Sequence, residues 1–119
     1  MTNEPSRELV LKKLHDCFPD AQLAISALAI LDRYGTKEWH NERDRVQLAI
    51  LMQARGDLAL LGSLVEVADL DFRDILLGAE YPEESRFPLE TPDEELQDVR
   101  QRDRAQYEAW LQSGGAKGC

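Results

Sequence analysis

Residues 53–62 read QARGDLALLG, and the job done there by Arg55-Gly56-Asp57 decides the fold. The tripeptide spells a cell-adhesion signal, which works only on an exposed loop of a secreted protein. Its residues also suit the seam between two helices. Gly56 can take the left-handed conformation that closes one helix, and the Asp57 carboxylate can accept from the free N–H groups that open the next. On that reading a helix over 39–55, with Trp39, Val46, Ala49 and Ile50 inward, runs into a second over 58–68 that buries Leu61, Leu64, Val65 and Ala68.

The same punctuation recurs in both directions along the chain. Asp69 or Asp71 opens a fifth helix in which Phe72, Ile75, Leu76 and Ala79 share one face, and Tyr81-Pro82 stops it. Upstream, a first helix over 5–18 has Asn3 as its cap and Val10, Leu14, Cys17 and Phe18 as its inner stripe. A second, over 19–34, ends at Gly35 and is so rich in Ala, Leu and Ile that it is expected to be the central helix. Downstream, EYPEESRFPLETP (80–92) carries three prolines and reads as a linker anchored by Phe87 and Leu89. Thr91-Pro92-Asp93-Glu94 has the form of a capping box opening a last helix roughly 30 Å long. Its apolar stripe is thin: Leu96 and Val99, then Asp103 where a core residue belongs, then Tyr107, Trp110 and Leu111.

No stretch alternates with the period of a strand, so the expected fold class is all-α. We expect one domain of about five short packed helices plus a longer C-terminal helix after a Pro-rich linker. Its parts are a helical core over 1–80, the linker over 81–91, the C-terminal helix over 92–112 and a flexible tail over 113–119.

Charge limits the partners. Residues 1–56 carry eight basic and eight acidic side chains, whereas residues 57–119 carry six and fifteen, which accounts for the whole net charge of −9. Such a field repels phosphate backbones, so nucleic acid and anionic membrane are not expected partners, while a basic protein surface would be steered toward the second half. Cys17 and Cys119 read as one buried thiol and one loose one. That usage suits a reducing compartment, and with no basic-then-apolar leader the expected location is the cytoplasm.

The familiar chemistries find little footing. His15 and Cys17 point about 200° apart around one helix and cannot pair as base and nucleophile. Asp69, Asp71 and Asp74 resemble the start of a calcium loop, but Arg73 takes its fifth position and Asp74 its sixth, where a ligand and a glycine belong. No zinc spacing and no phosphate-cradling glycine loop occurs, so no metal or cofactor is implied.

The segment ERDRVQLAILMQARGDLALLGSLVEVADLDFRDILLGAEYP (42–82) resembles the middle of a group of small bacterial all-helical proteins of no known function. The likeness lies in Arg43 to Leu51, Gly56-Asp57-Leu58, Phe72-Arg73-Asp74 and Ala79 to Pro82. It implies an all-helical fold and a bacterial source, and it brings no activity or site residue.

Three functional readings follow. The favoured one is a non-enzymatic protein-interaction or regulatory module whose partner is another protein or a second copy of the chain. Its apolar anchors would be Phe87, Tyr107, Trp110 and Leu111. The alternative is a small enzyme or ligand-binding protein with a pocket built from Trp39, His40, Arg43 and Arg73. A second alternative is an acidic decoy for a basic nucleic-acid-binding protein.

Overall fold

The computed structural model describes residues 5–38, 40, 42–88 and 90–113. Among the described residues there are six α-helices and no strand: α1 (Arg7–Cys17), α2 (Ala21–Leu31), α3 (Arg43–Ala54), α4 (Leu58–Leu70), α5 (Phe72–Glu80) and α6 (Asp93–Gln112). A 3₁₀ turn (Glu84–Arg86) lies between the last two. Three helices open on an aspartate, α4 and α5 as expected and α2 in addition. Asp20 accepts from Gln22 N–H and Leu23 N–H (2.9 and 3.1 Å), Asp57 from Leu60 N–H (3.1 Å) and Asp71 from Arg73 N–H (3.1 Å). Two starts differ. Ser6 caps α1 by accepting from Leu9 N–H at 3.2 Å, and Asn3 lies outside the described residues. At α6 no side chain caps the first turn; Pro92 precedes it, and Asp93, Glu94 and Glu95 set negative charge against the positive end of the helix.

The 53–62 seam is sharper than one glycine would make it. Arg55 has φ 49° and Gly56 φ 78°, two successive left-handed residues, after which Asp57 N–H donates to Ala54 O at 2.9 Å. A Cβ on Gly56 would stand 3.0 Å from the Cys17 carbonyl oxygen. Gly56→Ala is therefore expected to lose about 1 kcal/mol or more in urea unfolding, from the left-handed backbone and that close approach together.

The central helix is α3, not α2. Val46 through Leu51 form an unbroken buried run that continues at Ala54, with α1, α4 and α5 packed around it. In α2 only Ala24, Ala27 and Leu31 are buried, while Ile25 is 70% and Leu23 47% exposed. Position and not composition decides this: α2 is the more apolar of the two but packs chiefly against α4 and α1, whereas α3 lies among α1, α4 and α5.

Four buried polar side chains tie the helices together. Gln47 donates to the carbonyls of Leu31 (3.1 Å) and Tyr34 (2.9 Å) at the end of α2, and accepts from Arg7. Arg7 also forks onto Asp32 at 2.7 and 2.8 Å, so that this hydrogen-bonded guanidinium holds the Asp32 carboxyl below its ordinary range. Glu80, 2% exposed, accepts both arms of Arg45 at 2.8 and 2.6 Å. Asp103, the break in the α6 stripe, accepts from Glu83 N–H and Glu84 N–H (3.2 and 3.0 Å) and caps the 3₁₀ turn. That carboxylate anchors the linker, since Phe87 is 42% exposed and Leu89 lies outside the described residues.

The fourth is Lys13. Its fully buried ammonium donates to Trp110 O, Ser113 O and Ser113 Oγ, closing the C-terminus of α6, and sits 4.3 Å over the Trp110 ring. Cys17 is buried, as its place in the stripe implies, but it is disulfide-bonded and is not a thiol. Cys119, the other cysteine of the chain, lies outside the described residues, as does the rest of 114–119, where the flexible tail was expected. The cysteines therefore no longer argue for a reducing compartment. No helix among the described residues is long and apolar enough to cross a membrane.

Candidate functional site

Of the residues expected to form a pocket, the three described ones, His40, Arg43 and Arg73, line neither of the grooves described below. Trp39 lies outside the described residues. The His40 ring stacks on Tyr34 with centroids 4.4 Å apart, and its Nδ1 accepts from Gly35 N–H (2.7 Å) and Lys37 N–H (3.3 Å). Because Nδ1 accepts, the ring proton sits on Nε2, which donates to Asp69 Oδ1 at 2.6 Å. Lys37 adds its ammonium to the same carboxylate at 3.1 Å, and these two hydrogen bonds hold Asp69 below its ordinary range. Asp69 thus ends up as a clasp between the α2–α3 loop and α4 and caps no helix.

Arg43 and Arg73 point elsewhere. The Arg43 stem lies across Gly35, where any Cβ would collide with it, and its guanidinium reaches its neighbour Asp44 at 3.4 Å. Arg73 is 83% exposed, with Asp71 4.0 Å away. The arginine of the ERDR string that does reach a buried carboxylate is Arg45. Its spacing alone could not distinguish it from Arg43.

The anticipated interaction surface is also divided. Tyr107 and Leu111 belong to the core of this chain, Trp110 is half-buried against it, and only Phe87 is exposed. The C-terminal helix packs in cis, because Lys13 from α1 closes its end and Asp103 holds the linker beneath it. The hydroxyl of Tyr107 and the indole N–H of Trp110 are buried without a hydrogen-bond partner, and burial pushes the Tyr107 hydroxyl well above its usual range.

Where α6 comes down beside the end of α3, it encloses a groove of about 820 Å³. Met52, Leu60, Pro82 and Trp110 supply apolar surface, and Gln53, Gln106, Arg55, Arg86 and Glu83 the polar edge. Gln53 Nε2 is occupied by Ile75 O at 2.7 Å and Ala49 O at 3.3 Å. Glu83 leans to Arg102, 3.8 Å away. Neither Arg55 nor Arg86 has a carboxylate within 4.0 Å among the described residues. In a chain with 23 acidic side chains and 14 basic ones, two such arginines on one concave surface form its most distinctive electrostatic feature. Sequence reading passed over both, because Arg55 was absorbed into a helix end and Arg86 into a linker. The available signal was an arginine standing immediately before a closing glycine, at a position where asparagine or glycine is the easier choice.

A smaller groove of about 570 Å³ lies beside the His40–Asp69 clasp, lined by Arg33, Lys37, Val65, Glu66, Asp69 and Leu70 among others, with its charges of mixed sign. Among the described residues no three His, Cys, Asp or Glu side chains are grouped so as to hold a metal ion. No protein-family model, no curated protein and no solved structure matches this chain.

Proposed function

We propose that this protein is a non-enzymatic binding module and that its binding element is the groove between the end of α3, α4, α5 and α6. The observation that carries this reading is the make-up of the lining. It combines the apolar side chains of Met52, Leu60, Pro82 and Trp110 with two amides and two guanidiniums, and it contains no histidine, cysteine, serine, threonine, tyrosine or lysine. Such a surface can hold a ligand, and its one carboxylate, Glu83, is drawn toward Arg102 3.8 Å away. The size, about 820 Å³, falls within the span of small-molecule sites. This reading moves the interaction surface away from Tyr107 and Leu111, whose apolar surface is already used inside the chain.

The test is a thermal-shift screen with neutral, anionic and cationic amphiphiles on the wild type and on Gln106→Trp, which fills the groove from the exposed side of α6. At least one compound is expected to raise the wild-type Tm in a concentration-dependent way, with the shift lost in the variant. A screen in which nothing shifts the wild type, or in which both proteins shift alike, would remove the groove from consideration.

A further inference from the structure

Resting on that reading, we infer that the groove takes a small organic monoanion: a carboxylate or phosphodiester head held by Arg55 and Arg86, with an apolar body laid against Met52, Leu60 and Trp110. The head group is set by charge. An arginine near an excess of carboxylates ordinarily finds one, as Arg7, Arg45 and Arg100 do here at 2.7, 2.6 and 2.7 Å. Arg55 and Arg86 line the groove without one, and the single acid beside them, Glu83, leans toward Arg102. A guanidinium presents parallel N–H groups that fit the two oxygens of a carboxylate or phosphate.

The size of the occupant follows from the rest of the molecule. With a net charge of −9, the chain repels an acidic protein segment or a polyphosphate, each of which would bring many negative charges into its field. A monoanion feels chiefly the charges within a Debye length, about 8 Å at physiological salt, and the groove lining itself carries two arginines against one carboxylate. Arg55 supports the assignment independently of charge. It holds φ 49°, a conformation in which asparagine or glycine costs less, so backbone preference does not explain an arginine there.

The experiment uses the full chain carrying Trp39→Phe, so that Trp110 alone reports, with octanoate, methyl octyl phosphate, 1-octanol and octylammonium as probes. Titrations are followed by Trp110 emission and by calorimetry at 20 and 300 mM salt. Octanoate or methyl octyl phosphate is expected to bind at least tenfold more tightly than octanol, octylammonium to give no response, and the added salt to weaken the anion severalfold. The better of the two anions identifies the head group.

Arg86→Gln and Arg55→Asn are each expected to weaken that anion at least fivefold. Arg55→Asn leaves Tm unchanged or raised because asparagine tolerates the left-handed backbone, which separates lost binding from lost folding. Equal binding of octanol and the anions, or tightest binding of octylammonium, would overturn the monoanion and leave the groove standing. No response to any of the four, in a protein that other compounds stabilise in the screen above, would likewise overturn the monoanion alone. If the screen is silent as well, both readings fall.

Discussion

Arg45→Met is expected to cost about 3 kcal/mol in urea unfolding, the low end of the range for stripping a buried charge of its partner. Glu80 is 2% exposed and its two oxygens accept from Arg45 Nε and Nη2. Without the guanidinium the carboxylate must remain charged in a desolvated site or take up a proton. The low end applies because Arg45 is itself about one-third exposed, so water can partly replace it. Glu42 gives the arginine a second, exposed partner at 3.0 Å, which leaves Glu80 as the group that suffers. Glu80→Gln should cost less, since its amide oxygen can still accept. The double variant Arg45→Met/Glu80→Leu should recover much of the loss, because a pair replaced by apolar side chains leaves no charge behind. A double variant no more stable than Arg45→Met alone would contradict this account.

Lys13→Met should cost roughly 2 kcal/mol, with the damage concentrated in α6. Methionine keeps the volume of the stem and removes the donors to Trp110 O and Ser113 O, leaving the closing turn of α6 with Ser113 Oγ as its remaining cap. A red shift of Trp110 emission is the expected signature. The pH dependence follows from burial, which lowers the ammonium pKa from 10.5, with Asp16 3.9 Å away opposing the shift. The unfolded chain then keeps this proton to higher pH than the folded one. Wild-type stability, relative to the methionine variant, should therefore rise with pH through that interval and level off above about 10.5. A variant as stable as wild type at pH 7 would mean that desolvating the ammonium outweighs the bonds it makes.

Much of this architecture is legible in the sequence because short-range signals report backbone geometry. The aspartates before α2, α4 and α5 and the glycine after α3 mark helix ends through hydrogen bonds made within three residues. Thr91 shows the limit of that logic, since its spelling fits a capping box and its hydroxyl does not cap. Relations across the fold were harder to read. Lys13 stands at the spacing of the Val10, Leu14 and Cys17 stripe, and Gln47 beside Val46 in α3, so helical periodicity does place both inside. What periodicity lacks is the partner: the carbonyls that make these positions tolerable lie 97 and 16 residues away along the chain. Hydropathy misplaced the central helix for a related reason, because it weighs composition and cannot say which helix has neighbours on every side. The groove escaped reading altogether, being assembled from the ends of elements that no local rule brings together.

The two stranded donors on α6 carry a consequence for motion. A buried hydroxyl and a buried indole N–H that return to water when the helix lifts each repay about 1–3 kcal/mol of the cost of lifting it. That return lowers the cost of lifting α6 from the other helices, against the burial of Tyr107 and Leu111 that holds it down. Detachment carries Gln106 and Trp110 away and dismantles one wall of the groove. Occupancy and attachment are then a single linked equilibrium, in which whatever settles between Arg55 and Trp110 also fastens the end of the chain.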